Sequence, residues 1–276
     1  MNINKLSILL ILSLFILTSC SSDDDGVEDN NNGNENPDTE TEIEENFFPL
    51  TVGNNWDFEN ILTSPNQDDV VSVENLSVSG IVDINGSTGY EMETDNPSGS
   101  GPVTLALSQG TLLKENSSLA YTGVLGLGLN GFPDVNFDVE NASIYDTSLS
   151  NETEMFSQSG SIEQDFQDFP ITINYTLSTV MGDSFNDFEV NGVTYDNVIS
   201  SQLIINVEAT TILQIPILES QNAVVITNYF ADQVGLIQSE TDTNFVFEEI
   251  SIPNFPLQDI SFNTLQLLTD YDVVIE

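Results

Sequence analysis

The chain has 276 residues, of which 45 are acidic, two are lysine and none is arginine or histidine. A net charge of −43 excludes nucleic acid as a partner, because binding of phosphate backbones depends on clustered Lys and Arg. The lack of histidine and arginine also excludes Ser-His-Asp relays, ordinary zinc or copper sites and the usual clamp for anionic substrates.

Residues 1–19 have the pattern of a secretory signal peptide. Lys5 provides an early positive charge, the run from Leu6 to Leu17 is apolar, and small residues precede Cys20. A membrane-spanning helix needs about 20 apolar residues, and this run is shorter. We therefore predict a signal that is removed rather than a helix that anchors the chain.

The residues Leu17-Thr18-Ser19-Cys20 resemble the lipobox of bacterial lipoproteins. The resemblance implies that Cys20 is lipidated and becomes the first residue of the mature chain, with the bilayer as its partner through acyl groups such as palmitate. Two or more acyl chains give stable anchoring. Ordinary cleavage that leaves a free thiol is the alternative.

The segment that follows, residues 20–46, is predicted to be a disordered acidic tether, because it has too few apolar residues to form a core. Its reach is about 28 Å as a flexible coil, and charge repulsion extends it further. Within it, Ser22, Asp23, Asp24 and Asp25 resemble the surface-export signal of Bacteroidota lipoproteins. That resemblance implies an outer-membrane protein facing the cell exterior; a solvated acidic spacer is the alternative.

Residues 47–276 have the period of β-strands, with apolar and polar residues in alternation. The clearest runs are Ile171, Ile173, Tyr175 and Leu177, and Leu203, Ile205, Val207 and Ala209. No linker-like break divides this segment. We predict one β-rich globular domain over residues 47–276.

Asn-Gly pairs at 85–86, 130–131 and 191–192 lie between these runs. They predict two-residue hairpin turns, because both positions tolerate positive φ. Sequential hairpins indicate an antiparallel, all-β fold.

Two further local predictions follow from the alternation. Val103, Leu105 and Leu107 indicate another strand. The phase of the pattern shifts just before Leu76, which predicts a bulge or turn near residues 74–75.

The segments Phe48–Trp56 and Tyr229–Ile237 resemble recurring patterns of largely uncharacterised bacterial lipoprotein domains. The resemblance implies a curved antiparallel sheet or a half-barrel like that of lipoprotein carriers, with a β-sandwich as the alternative, and it supplies no catalytic residues. From the residues themselves, 48–52 indicate the first strand, Trp56 an aromatic core residue and Gly235 a close-packed turn.

Carboxylates are the main chemical resource of this domain. Hard oxygen ligands suit calcium, and Asp183, Asp187, Asp232 and Asp242 are candidate ligands, although their spacing is not that of an EF-hand loop. A solvated acidic face is the alternative. We expect no other cofactor.

Two functions of different classes fit the sequence. The first is a non-enzymatic module that binds a glycan, an apolar ligand or a protein. The second is a carboxylate-dependent glycan hydrolase, which needs two carboxyl groups about 5 to 9.5 Å apart. An open apolar concavity favours the binding module, and paired carboxylates in a cleft favour the enzyme.

Overall fold

The strands form one large antiparallel sheet. The computed structural model describes residues 45–127, 135–166, 169–249 and 258–275, all within the compact unit Glu44–Glu276. Its elements in chain order are β1 (Asn55–Thr63), β2 (Val70–Ile84), β3 (Ser87–Thr94), α1 (Pro102–Leu107), β4 (Gly110–Glu115), β5 (Ser118–Leu127), β6 (Val135–Asp146), β7 (Glu154–Phe166), β8 (Phe169–Phe185), β9 (Phe188–Val190), β10 (Val193–Tyr195), β11 (Val198–Thr211), β12 (Pro216–Ala231), β13 (Gly235–Phe245) and β14 (Ile260–Asp272).

The sheet has 12 strands in the order β6-β5-β4-β3-β2-β1-β14-β13-β12-β11-β8-β7. Most neighbours are consecutive in the chain, as expected for a series of hairpins. Two pairings are not: β1 pairs with β14, and β8 pairs with β11 across the small hairpin β9–β10. The all-β, antiparallel, curved sheet predicted from the sequence is confirmed.

The two edge strands, β6 and β7, are consecutive in the chain and lie near each other. Gln158 on β7 donates a side-chain hydrogen bond to the carbonyl of Asp138 on β6 at 2.9 Å. The rings of Phe137 and Tyr175, on β6 and β8, have centroids 4.5 Å apart. Side chains therefore bridge the seam, and the sheet curves into a nearly closed, barrel-like wall.

The Asn-Gly turns that the structure describes have the positive φ angles predicted for them. Asn85 and Gly86 join β2 to β3 with φ of 55° and 93°, and Asn191 and Gly192 join β9 to β10 with φ of 52° and 78°. Both predictions are confirmed. The pair at 130–131 lies outside the described residues.

The strand predicted over Val103, Leu105 and Leu107 is wrong, because these residues belong to helix α1. Pro102 stands in the first turn, where its fixed φ suits a helix and its missing N–H costs nothing. Thr104 and Leu107, three residues apart, are buried on one face. Over six residues, the helical and strand periods are too similar to separate.

The bulge predicted near residues 74–75 is also wrong. Strand β2 pairs regularly with β1 through this point, and its irregularity lies between Val78 and Gly80, against β3. Val73 is 66% exposed on the outer face, whereas Glu74 is 4% exposed on the inner face. The apparent phase shift thus reflects an outward valine and an inward carboxylate.

An aromatic core lies at one end of the sheet interior. Phe48 stacks on Trp56 with ring centroids 5.0 Å apart and planes at 7°. Trp56 donates its indole N–H to the carbonyl of Val234 at 2.7 Å, next to Gly235 with φ of 111°. The predicted core residue and close-packed turn are confirmed, but residues 48–52 form an irregular segment before β1 rather than a strand.

Candidate ligand-binding cavity

A cavity of about 560 Å³ lies inside the curved sheet, beside α1. Its wall is mostly aliphatic and aromatic, and its members include Leu105 of α1 and the inward residues Leu177, Leu203, Ile226, Phe230 and Phe262. Among the described residues, no Asp, Glu or Lys lines it. In a chain with 45 acidic residues, the described wall of this cavity thus has no charged side chain.

A row of inward polar residues crosses the sheet at the edge of this cavity. Its members are register partners on neighbouring strands β11, β12, β13, β14 and β1, and we call them the polar band: Ser201, Asn228, Ser239, Gln266 and Asn60. All five are buried. Directly opposed residues of an antiparallel sheet have Cβ atoms about 5 Å apart, so the band is a continuous strip.

The polar band lies between apolar positions of the same strands. On β12 the inward residues Ile226, Asn228 and Phe230 follow one another at strand spacing. Ile226 faces the cavity, and Phe230 packs edge-on against Phe48 of the aromatic core, at 6.1 Å, while also reaching the cavity. Part of the polar band therefore lies within the cavity wall, between apolar residues, and Phe48 of the aromatic core also lines the cavity.

Two oxygen atoms of residues in the cavity wall are buried without hydrogen-bond partners among the described residues. They are Oδ1 of Asn228 and Oγ1 of Thr179. Asn228 and Thr179 are 7% and 6% exposed, and both line the cavity. A buried polar atom left unpaired costs about 1 to 3 kcal/mol, so these oxygens need an explanation.

The other end of the band is anchored by Glu74. Its Oε1 accepts hydrogen bonds from the backbone N–H of Gly101 at 2.8 Å and from the hydroxyl of Thr104 at 2.7 Å. Asn60 and Gln266 of the polar band donate to the same oxygen at 2.7 and 3.0 Å. The carboxylate thus fixes the start of α1 to the inner face of the sheet.

The fit around Gly101 is tight. A Cβ atom built there would lie 2.7 Å from Oδ1 of Asn60 and from Oε1 of Gln266. The backbone of the segment before α1 therefore covers this part of the polar band. The cavity-facing part, at Asn228 and Ser201, is not covered in this way.

Tyr121 connects α1 to the wall of the cavity. Its hydroxyl donates to the carbonyl of Ala106 in α1 at 2.9 Å and lies 3.1 Å from the carbonyl of Val124. Burial raises the pKa of Tyr121 to about 12, and the contact with the Val124 carbonyl opposes that rise. This residue is a fixed part of the wall rather than a proton donor near neutral pH.

Comparisons with known proteins give only weak likenesses. No family model and no curated protein matches the chain. Three solved structures are similar to it, each over 82% of this chain. A protein from Bacteroides fragilis, described as exported and with a YmcC-like fold, has 8% sequence identity, 98% of its own chain covered and a TM-score of 0.35. A protein described as a lipoprotein, from Parabacteroides distasonis, has 12% identity, 98% coverage and a TM-score of 0.34, and a LolA superfamily protein from Nitrosomonas europaea has 9% identity, 88% coverage and a TM-score of 0.23. At such values the likeness says nothing about ligand or activity.

The candidate calcium ligands are dispersed over the surface. Asp183 near the end of β8 accepts a hydrogen bond from Asn151 at 2.6 Å, and Asp187 lies in the following turn. Asp232 precedes β13, whereas Asp242 lies near the other end of that strand. No group of three or more Asp, Glu, Cys or His within the described ranges is arranged to hold a metal ion. Calcium binding stays a prediction from the sequence.

The predicted lipidation and export residues, Cys20, Ser22, Asp23, Asp24 and Asp25, lie outside the described residues. Among the residues placed by the structure, no helix has the length and apolar character needed to cross a membrane.

Sequence reasoning missed the polar band. Each member occupies the buried phase of its strand, as Asn60 does after Trp56 and Phe58, and Ser201 does before Leu203. One such residue is unremarkable, but a polar residue in the buried phase of several strands was a usable signal. Its alignment into a strip depended on strand register, which the sequence alone does not provide.

Proposed function

We propose that the domain over residues 47–276 is a non-enzymatic module that binds an apolar ligand in the cavity of the sheet. The observation that carries this proposal is the uncharged cavity wall: no described Asp, Glu or Lys lines it, although the chain contains 45 acidic residues. A charged ligand would find no oppositely charged side chain among the described residues of this wall.

The size of the cavity suits this role. A volume of about 560 Å³ lies within the range of about 300 to 1,000 Å³ that is usual for small-molecule sites. Apolar burial contributes about 25 cal/mol per Å², so about 200 Å² of ligand surface would contribute about 5 kcal/mol before the costs of association.

The alternative functions have less support. A glycan hydrolase needs two carboxyl groups at the bond to be cleaved. In the part of the chain that the structure describes, Glu74 is the one buried carboxylate, it lies outside the cavity lining, and its Oε1 is occupied by four donors. A glycan would also present many hydroxyls to a wall whose residues are mostly apolar. The geometry favours the apolar ligand.

We propose further that Cys20 carries the lipid anchor and that the acidic residues Asp23, Asp24 and Asp25, after Ser22, direct the protein to the outer face of the outer membrane. This part of the proposal rests on the sequence motifs. A tether of about 28 Å would hold the domain clear of the lipid headgroups.

Binding of the neutral fluorescent dye Nile red tests the cavity. The protein would be the chain from Ser21 to Glu276, which lacks only the signal and the acylated cysteine. We expect saturable binding with increased dye emission. Leu203→Trp places a large ring in the cavity and should remove binding.

The matched control is Ile204→Trp on the same strand, because Leu203 lines the cavity and Ile204 does not. It should bind the dye like the parent chain. Failure of the parent chain to bind, or equal binding by a folded Leu203→Trp variant, would refute the proposed site.

A further inference from the structure

The polar residues that the structure describes in the cavity wall are all uncharged. They are serine, threonine, asparagine, glutamine and tyrosine side chains, and among them are Ser201 on β11 and Thr241 and Thr243 on β13. Such side chains can exchange hydrogen bonds with a ligand, but they cannot neutralise a charge. An ionised carboxylate or ammonium group moved from water to this wall would lose its hydration without gaining an ion pair, which is strongly unfavourable.

The opening of the cavity is uncharged as well. Gln109, just after α1, and Asn136 on β6 line the cavity and are exposed, so they border its opening. Ser100 and Ser143 also line it and are half-buried. We call these four residues the rim. At the rim, a ligand headgroup would therefore meet amides and hydroxyls rather than Asp, Glu or Lys side chains.

The folded chain has no spare cation to pair with an anionic headgroup. Besides Lys5 of the predicted signal, Lys114 is the one basic side chain of the sequence. Lys114 donates to the side-chain oxygen of Asn46 and to the carbonyl of Phe48 at 3.4 Å, and it is not in the cavity wall. Because this count comes from the sequence, it also covers the residues outside the described ranges.

The domain as a whole repels anions. Residues 47–276 contain 34 acidic residues and one lysine. A surface with charges of one sign creates a potential that lowers the local concentration of ions of the same sign. An anionic headgroup that stayed in water at the rim would avoid the cost of burial but not this repulsion. Salt screens such repulsion, with a Debye length of about 10 Å at 0.1 M.

We propose that the cavity selects uncharged lipids and excludes anionic amphiphiles such as ionised fatty acids and acidic phospholipids. This inference rests on the proposed function and specifies the class of its ligand. Two separate costs produce the exclusion. A charge inside the wall loses its hydration, and a negative charge at the rim is repelled by the acidic domain.

Two amphiphiles with the same ten-carbon acyl chain test the proposal: glycerol monodecanoate, whose head is polar but uncharged, and decanoate at pH 8. Each would compete with Nile red for the chain from Ser21 to Glu276, at low salt and below its micelle concentration. We expect glycerol monodecanoate to bind about tenfold tighter or more. Added sodium chloride should narrow this ratio, because screening weakens the repulsion. Equal affinities at low salt would overturn the proposal.

The pH dependence of decanoate binding is a second test. A free carboxylic acid has a pKa of about 4 to 5, and both burial and nearby negative charges raise this pKa. Bound decanoate should therefore take up a proton more readily than free decanoate, and its affinity should increase as the pH falls from 8 to 6. Binding of glycerol monodecanoate should change little over this interval. A decanoate affinity that is constant or decreases would contradict the exclusion of the charged form.

A lysine at the rim should relax the exclusion. Gln109→Lys places an ammonium group beside the opening and should increase the affinity for decanoate severalfold at low salt. The matched control is Gln67→Lys in the loop between β1 and β2, which is exposed, lies outside the cavity wall and changes the net charge equally. It should bind both amphiphiles nearly as the parent chain does. Equal effects of the two variants would refute the role of the uncharged rim.

The outcomes distinguish this inference from the proposed function. If Nile red and both amphiphiles fail to bind, the apolar site itself is refuted. If all three bind and decanoate competes as well as the glycerol ester, the apolar site stands and the selection by charge is wrong.

Discussion

Lys114 on β4 donates a hydrogen bond from its ammonium group to the side-chain oxygen of Asn46, at the start of the folded domain. The backbone N–H of Asn46 in turn donates to Asp232 at 2.6 Å. Burial lowers the pKa of Lys114, and the nearby charge of Asp232 opposes this effect. Lys114 on β4 and Asp232 in the turn after β12 thus both bind Asn46 and hold it against the sheet.

Lys114→Met should lower the free energy of unfolding by about 1 to 2 kcal/mol, because Asn46 and the carbonyl of Phe48 lose a charged donor. Urea unfolding followed by the emission of Trp56, the single tryptophan, measures it. Lys114→Arg, which keeps the charge, should lose less. A methionine variant as stable as the parent chain would mean that desolvation of the ammonium cancels its hydrogen bonds.

Glu74→Leu should destabilise the domain by about 3 kcal/mol or more, because it leaves several buried donors unpaired, among them the N–H of Gly101. Hydrogen exchange at that amide should accelerate along with the loss of stability. Glu93→Leu, on the exposed face of β3, is the control and should change stability little. If the two leucine variants behave alike, Glu74 does not anchor α1.

Gly235→Ala should cost more stability than Gly192→Ala. Both glycines have positive φ, which costs alanine about 1 kcal/mol or more. An added Cβ at Gly235 would also lie 2.9 Å from Nε1 of Trp56, whereas at Gly192 it meets nothing within 4 Å. We expect an extra loss of about 1 to 3 kcal/mol and a shifted Trp56 emission for Gly235→Ala alone. Equal losses would contradict the close packing.

The domain should lose stability as the pH rises from about 10 towards 12. The pKa of Tyr121 is raised from 10.0 to about 12, so the folded state keeps a proton that the unfolded chain releases. Its contribution is complete below pH 10 and declines through this interval. Tyr145, whose pKa burial also raises, acts in the same direction.

Melting temperatures across this interval measure the decline. Tyr121→Phe should make the slope shallower. Lys114 cannot cause the decline, since its lowered pKa makes stability increase with pH up to 10.5. A parent chain with constant stability up to pH 12 would show that Tyr121 ionises without unfolding.

Cys20→Ala should give an unprocessed precursor without acyl groups, detected by mass spectrometry of the N-terminus. After the predicted cleavage only Lys114 is left for trypsin, so a Glu- or Asp-specific protease is required. A mature protein with an unmodified cysteine in the parent chain would disprove lipidation.

Replacement of Asp23, Asp24 and Asp25 by alanine should leave acylation intact and move the domain to the periplasmic side of the membrane. Protease treatment of intact cells distinguishes the two locations. Equal cleavage of parent and variant would leave the acidic cluster without an export role.

Local chemistry made part of the fold predictable. Asn85-Gly86 forms a hairpin turn because both residue types tolerate positive φ in any protein. The alternation of apolar and polar residues identified strands β8 and β11. The helix at residues 102–107 was missed because a single turn and a half offers too few residues to define a period. The site was missed for another reason: Asn228 and Ser239 become neighbours only through strand pairing, which no local pattern encodes.

The seam between β6 and β7 has a consequence for solubility. An exposed strand edge presents unpaired N–H and C=O groups, and these can recruit strands of other molecules into aggregates. Here the chain turns from one edge strand directly into the other, and Gln158 reaches across to the Asp138 carbonyl. The two edge strands cover each other, so few unpaired backbone groups are left to pair with a strand of another molecule.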